Sequence, residues 1–249
     1  MMNNELHDIF QKYAAVVFVD VETTGLDPVN CRIIELAALR IEPRKRGGLR
    51  VVNNADLFVK LPESERLPKE ITELTGITDT MLESKGMAEV KAAEAFTKLI
   101  YSDKGRVLIV AHNAQFDLSF ITELMKRTYP AGVYQMDAAD YLDSLTVYKD
   151  RRAYPHKLEN AIATYRLENK VRNSHRAVDD VAALYEVCKA MDAERADLLN
   201  YVNIFGYNPK YGVKGHRLEG VTYWPQSSNQ YKQSLNNTLP ERVKRRTKQ

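Results

Sequence analysis

The pattern of apolar and polar positions predicts strands in the first part of the chain. Ala15 to Val19 is a continuous apolar run, typical of a strand buried on both faces, and it leads directly into Asp20, Val21 and Glu22. Two further strands are predicted over residues 31–42 and 51–61, separated by a basic turn that contains two glycines. We expect these three strands to form an antiparallel meander.

Helical periodicity dominates the later part of the chain. An amphipathic helix is predicted over residues 87–101, and a helix beginning near Ala177 carries a second apolar stripe. Short apolar runs at 106–111 and 138–142 predict a fourth and a fifth strand. The order of elements predicts an α/β fold of three layers, with one domain over residues 1–200. Residues 201–249 form a separate extension, rich in aromatic and basic residues.

Composition and charge indicate a soluble globular protein. Hydrophobic residues make up 44% of the chain, and the two cysteines, Cys31 and Cys188, lie in apolar segments, as expected for free thiols in a reducing compartment. No signal peptide and no run of about 18 apolar residues is present, so we expect a cytoplasmic protein without membrane contact. The net charge of the chain is +3; residues 241–249 carry +4, so residues 1–240 carry 3 − 4 = −1 and the basic charge is concentrated in the tail.

Three segments carry candidate chemistry. Asp20 and Glu22 project from the same face of the first strand, so their carboxylates must lie close together and favour a divalent cation between them. On D-x-E alone, two ordinary surface acids are an equally good interpretation. Asp117 lies in line with the apolar stripe of its predicted helix, where an unpartnered acid is unfavourable. Glu35, in the second strand, is expected to be an edge or surface acid that has a partner.

The third segment contains His175 and Asp180. If the helix begins after Arg176, His175 lies on the preceding loop and Asp180 in the first turns of the helix, an arrangement that suits a base beside a metal ligand. The H-x4-D spacing and the position of Asp180 four residues before Leu184 favour Asp180 over the neighbouring Asp179.

Taken together, FVDVETTGL, AHNAQFDLSFI and HRAVDD resemble the three motifs of the DnaQ-like (DEDDh) family of 3′ to 5′ exonucleases. The similarity covers roughly residues 13–192. ITELTGIT and HKLENAI are also similar to segments of the proofreading exonucleases of bacterial replicative polymerases. The resemblance implies an RNase H-like fold, with a five-stranded mixed sheet flanked by helices.

The resemblance also implies roles for individual residues. Two Mg²⁺ or Mn²⁺ ions would be held by Asp20, Glu22, Asp117 and Asp180, with His175 as general base. Hard oxygen ligands suit these cations. The terminal nucleotide would be held by two further groups of residues, one in the first motif and one in the second: Thr23, Thr24, Gly25 and Leu26, and His112, Asn113 and Phe116.

The expected function is therefore removal of nucleoside 5′-monophosphates from single-stranded DNA 3′ ends, in replication proofreading or repair. The expected partners are single-stranded 3′ ends and a DNA polymerase. Two alternatives stay open at this point. One is a 3′ to 5′ exoribonuclease similar to RNase T or oligoribonuclease, and the other is a non-catalytic module that binds nucleic acid or a polymerase.

Overall fold

The computed structural model describes residues 5–171, 176–215 and 217–226. Its centre is a five-stranded sheet with the strand order β3-β2-β1-β4-β5, in which β1 to β3 are antiparallel and β4 and β5 run parallel to β1. The strands are β1 Ala15–Thr23, β2 Ile33–Pro43, β3 Leu49–Phe58, β4 Val107–Ala111 and β5 Asp140–Asp143. The predicted meander and the mixed five-stranded sheet are confirmed.

The central strand β1 is longer than its neighbour β4. Only Ala15 to Phe18 pair with β4, whereas β1 pairs with β2 along almost its whole length. The end of β1 that carries Asp20 and Glu22 therefore projects past β4, which leaves room beside it for residues from the helical layers.

Helices cover both faces of the sheet. They are α1 His7–Lys12, α2 Lys69–Thr75, α3 Asp79–Lys85, α4 Glu89–Ile100, α5 Ala114–Thr128, α6 Ala131–Asp137, α7 Ser144–Arg151, α8 Leu158–Thr164 and α9 Ala177–Glu194. On one face, Val16 and Phe18 of β1 pack with residues of α1, α7, α8 and α9. On the other, Val17 and Val19 pack with α4, α5 and α6. The alternation along β1 therefore separates two apolar cores and gives three layers.

The chain after α9 returns to the edge strand β5, where Asn203 forms two hydrogen bonds with the backbone of Tyr141. A 3-10 helix at Leu198–Tyr201 is followed by β6 Ile204–Tyr207 and β7 Thr222–Pro225, which pair in parallel. Tyr201 and Phe205 are buried within the two main cores, whereas Tyr211 is 64% exposed. Most aromatic residues described here thus cover the domain, and the predicted division of the chain near residue 200 stays a prediction.

No helix in the described parts of the chain is both long enough and apolar enough to cross a lipid bilayer.

Candidate active site

Three carboxylates meet at the projecting end of β1. Asp20 and Glu22 lie two residues apart on the strand, on the face that α9 covers, and Asp180 comes from the first turn of α9. One carboxylate oxygen of each residue lies within 4.8 Å of those of the other two. Asp180 therefore joins the two acids of the first motif, as the sequence predicts.

The negative charge of each acid in this group makes ionisation of the other acids less favourable. Burial raises the pKa of Glu22 to about 8, with further contributions from the negative charges of Asp180 and Glu35. Burial, followed by the charges of Asp117, Asp180 and Glu22, raises the pKa of Asp20 well above its ordinary value. Without a positive charge between them, these acids can be fully ionised at neutral pH only at a cost in stability.

Asp117 lies behind this group, in the first turn of α5 on the other helical layer. It is buried, and its Oδ1 accepts a hydrogen bond from the backbone N–H of Val21 at 3.1 Å. Burial, with the charges of Asp143 and Glu22, raises its pKa despite that hydrogen bond. Asp117 thus adds a fourth acid beside Asp20, although its oxygens are outside the group of three that approach within 4.8 Å.

An ion pair beneath the acids was not foreseen from the sequence. Glu35 lies opposite Glu22 in the β1–β2 register, and it is fully buried on an interior strand, so the expectation of an edge or surface acid is wrong. The Arg176 guanidinium donates to it from Nη2 at 2.7 Å and from Nε at 3.0 Å, and the Ala177 N–H donates at 3.0 Å. The start of α9 is thereby attached to the sheet.

Asp56, on the neighbouring strand β3, is a second acid beside the Arg176 guanidinium. It lies 3.7 Å from the Arg176 guanidinium. Burial raises its pKa to about 6, and a hydrogen bond with Glu35 and the charge of that residue add to the effect. Arg176 is also stacked on the Phe58 ring, 5.0 Å from the centroid. A single cation therefore faces two acids and one aromatic ring.

His175, the predicted general base, lies outside the described residues. Its sequence neighbour Arg176 is described and has an extended backbone conformation just before α9. The role of His175 therefore stays a prediction.

The turn after β1 has a defined conformation. The Thr23 hydroxyl donates to the Gly25 carbonyl at 2.6 Å, and the Thr24 hydroxyl accepts from the Arg32 N–H at 2.9 Å. A Cβ on Gly25 would approach the Cys31 sulfur to 2.7 Å, so a larger residue there would require Cys31 to move. Leu26 at its tip is 85% exposed, as a side chain that contacts a ligand needs to be.

The three residues of the second motif that are predicted to contact the nucleotide differ in how accessible they are to a ligand. Both ring nitrogens of His112 already face protein oxygens, those of the Ser144 hydroxyl and the His156 carbonyl, each at 2.9 Å. A nucleotide contact from His112 would require one of these to open. Asn113 is exposed in a left-handed conformation (φ 75°), and Phe116 is partly buried against Phe120.

Asp143 is a further residue that the sequence analysis missed. It is buried at the end of β5, where its carboxylate accepts the N–H groups of Asn113 and Ala114 and caps α7 through Leu145 and Thr146. It thereby fixes the turn that begins α5 and so positions Asp117. Asp is common as the capping residue directly before a helix, and this preference is the signal that the sequence holds for the role of Asp143.

The donor set fits a divalent cation. Carboxylate oxygens are the ligands that Mg²⁺ and Mn²⁺ prefer, and three of them already converge. Burial and the neighbouring acids raise the pKa values of Asp20 and Glu22, so a cation bound among these acids would favour their charged forms.

Comparison with known proteins agrees with the three motifs. DNA polymerase III PolC-type of Caldanaerobacter subterraneus subsp. tengcongensis is 36% identical over 175 residues, 69% of this chain and 11% of that protein. The PolC-type polymerase of Halalkalibacterium halodurans is 34% identical over 205 residues, 79% of this chain and 13% of that protein. The chain therefore spans about an eighth of the length of these relatives.

Among solved structures, E. coli exonuclease I in complex with a dT13 oligonucleotide matches with a TM-score of 0.63 and 21% identity. The match covers 76% of this chain and 43% of that one. It shows a shared fold and confirms the predicted RNase H-like architecture. The family model described as "Exonuclease", of the RNase T type, matches residues 17–188. The chain belongs to this exonuclease family.

Proposed function

We propose that the protein is a metal-dependent 3′ to 5′ exonuclease that releases nucleoside 5′-monophosphates from single-stranded DNA 3′ ends. The observation that carries the proposal is the convergence of Asp20, Glu22 and Asp180 at the end of a buried strand. The dT13 complex of the structural neighbour supports DNA as the substrate, and the PolC-type relatives support a role in replication proofreading or repair.

Two Mg²⁺ or Mn²⁺ ions bound to Asp20, Glu22, Asp117 and Asp180 would supply the positive charge that activates water and stabilises the charge developing on the scissile phosphate. The protein's own contribution is rigidity. Asp20 and Glu22 are fixed by the β1–β2 register, Asp180 by the Arg176–Glu35 pair at the start of α9, and Asp117 by the Val21 N–H.

Proton removal from the attacking water is assigned to His175. An imidazole with a pKa near 6.5 suits this role at neutral pH. His175 directly precedes Arg176 in the sequence, and two guanidinium nitrogens of Arg176 donate to Glu35. Arg176 is thus a positioning residue in this proposal.

The terminal nucleotide is assigned to the turn at Thr23 to Leu26, with Leu26 and Phe116 as its apolar contacts. Leu26 is exposed and Phe116 partly so, and both adjoin the acids in sequence. Base stacking on such side chains is tolerant of sequence, as an exonuclease requires.

The expected partner is a DNA polymerase, because the relatives are PolC-type polymerases of which this chain matches a small part. A cytoplasmic location is supported by the two free thiols, of which Cys188 is buried.

A DNA strand and an RNA strand of one sequence, each labelled at the 5′ end, test the proposal in the same reaction with Mg²⁺. We expect a ladder of DNA products shortened from the 3′ end, together with released 5′-monophosphates. Faster shortening of the RNA strand would replace the proposal with an exoribonuclease. Binding without shortening of either strand would indicate a non-catalytic module.

A further inference from the structure

A basic groove lies at the end of the sheet opposite the acids. It is an open cleft of about 870 Å³ between the start of β1, the β2–β3 turn and the loop before β4, and we call it the distal groove. Its basic lining residues, all exposed, are Lys12, Arg44, Lys45, Arg50 and Lys104. They come from three separate parts of the chain, so the sequence alone does not reveal the cluster.

The positive charge of the groove is largely uncompensated. Glu42 is the one acid among its lining residues, and it is already bonded to Arg40 at 2.9 Å and to Arg50 at 3.0 Å. Burial favours the neutral form of Glu42, yet its pKa is lowered by the hydrogen bonds from Arg40 and Arg50 and by the charge of Lys104. The local field therefore favours an anion.

The β2–β3 turn presents its cations from a defined backbone. The Arg44 N–H donates to the Gly48 carbonyl at 2.9 Å, and the Gly47 N–H donates to the Arg44 carbonyl at 3.1 Å. Gly47 and Gly48 have φ values of 90° and 77°, which glycine adopts readily. The turn is thus tight, and it holds Arg44 and Lys45 at the rim of the groove.

Apolar surface accompanies the charges. Val51 lines the groove and is 58% exposed. A positively charged groove that can follow the phosphate backbone is one of the features of a surface that binds single-stranded nucleic acid.

We propose that the distal groove binds the backbone of the substrate strand several nucleotides from its 3′ end. This inference rests on the proposed function, since it concerns the same strand. Asp20 lies five residues beyond Ala15 along β1, about 17 Å away at the rise of a strand. The axial rise of one duplex strand is about 3.4 Å per nucleotide, so a strand stacked in this way would span the distance with about five nucleotides. Since Val16 to Val19 are buried, the substrate strand has to pass over the surface of the domain, which lengthens the path. A shorter oligonucleotide occupies the active site without reaching the groove.

The test compares oligonucleotides of about three and about twenty nucleotides, chosen on either side of that distance, on the full chain carrying R44E and K45E. For the long strand we expect KM to rise about tenfold, and we expect the slope of log affinity against log salt to decrease by about 1.4, the value for two phosphate contacts with a single strand. The kcat for both strands and the KM for the short strand should match the parent protein.

The matched control is K85E with K170E, which reverses two exposed lysines away from the groove. It should leave KM and the salt slope for the long strand close to those of the parent. An unchanged long-strand KM in R44E/K45E, or an equal loss on both strands, would overturn the inference. If the parent hydrolyses neither strand, the proposed function fails, and the groove is then judged from long-strand binding by fluorescence anisotropy.

Discussion

Arg176 holds the fully buried Glu35 through two guanidinium nitrogens, at 2.7 and 3.0 Å, and thereby joins the start of α9 to the centre of the sheet. Glu35 faces Glu22 in the strand register, and Arg176 lies four residues before Asp180. One ion pair therefore sets the distance between the two elements that supply the acids. The positive charge of Arg176 also lowers the pKa of Glu22, which burial and the neighbouring acids raise.

Replacing Arg176 with Met should destabilise the protein by about 3 kcal/mol at pH 8, because the buried Glu35 carboxylate would lose its cation. The loss should be smaller when Glu35→Gln is added, because the double variant has no buried carboxylate without its cation. Urea unfolding of the parent and the two variants at pH 8, in EDTA, measures this difference.

Arg50→Met provides the control for the same chemical change. Arg50 pairs with Glu42 at 3.0 Å, but its side chain is 51% exposed, so we expect a loss of about 1 kcal/mol or less. Equal losses in Arg176→Met and Arg50→Met, or a loss in Arg176→Met that Glu35→Gln does not reduce, would show that the Arg176–Glu35 pair has no special role in stability.

The metal-free protein should become less stable as the pH rises from about 4.5 to about 8. Glu22 has a raised pKa in the folded protein, so the folded state holds a proton that the unfolded state has released within that window. Glu22→Gln should remove part of this dependence and, in EDTA at pH 8, should stabilise the protein by up to a few kcal/mol. Thermal melts across the pH range measure the effect. A parent protein that gains stability between these pH values in EDTA would contradict the assigned electrostatics.

The pattern of β1 predicted a buried strand that ends in two acids on one face, whereas the five-stranded mixed sheet and the metal site were implied by the family resemblance. A buried run that continues into D-x-E can place two carboxylates on one face, and the H-x4-D spacing distinguished Asp180 from Asp179. Local periodicity also predicted α4, which covers Glu89–Ile100 within the predicted range of 87–101. These features depend on residues close together in the sequence.

Features that depend on tertiary contact were not predictable in the same way. Glu35 pairs with a residue 141 positions away, and the distal groove is formed by three distant segments. The seven-residue helix α6 has a weak amphipathic signal, and it packs through Gly132, where a Cβ would approach Thr97 and Met125 within 3 Å. In each case the partner residue determines the role, and the sequence does not identify the partner.

His175→Ala should lower the rate of hydrolysis by about 10² to 10⁴, while Mn²⁺ still raises the melting temperature. Asp20→Ala should lose both the rate and the metal-induced shift, because it removes a ligand. Single-turnover rates and thermal melts with and without Mn²⁺ separate the two. Parental cleavage by His175→Ala would show that another group acts as the base.

Deleting residues 241–249, which hold five Lys or Arg against one Glu, should weaken DNA binding and flatten its salt dependence without changing the saturated rate. These residues lie outside the described part of the chain, so the prediction rests on their charge.

Deleting residues 201–249 should in addition destabilise the domain, because it uncovers the core around Phe205. Phe205→Ala alone should cost about 3 to 5 kcal/mol in urea unfolding. A salt dependence equal to that of the full chain after the short deletion would exclude a role for the basic tail.

Calorimetric titration of Mn²⁺ into the parent protein, Asp180→Asn and Asp179→Asn tests the central claim most directly, because the two variants remove one negative charge from adjacent positions of α9. Asp180 belongs to the group of three converging carboxylates and Asp179 does not. We expect Asp180→Asn to weaken Mn²⁺ binding by more than about tenfold, or about 1.4 kcal/mol, and to abolish hydrolysis of a single-stranded DNA 3′ end. Asp179→Asn should retain both properties at close to the parental values. Parental Mn²⁺ affinity in Asp180→Asn, or an equal loss in the two variants, would contradict a metal site at Asp20, Glu22 and Asp180.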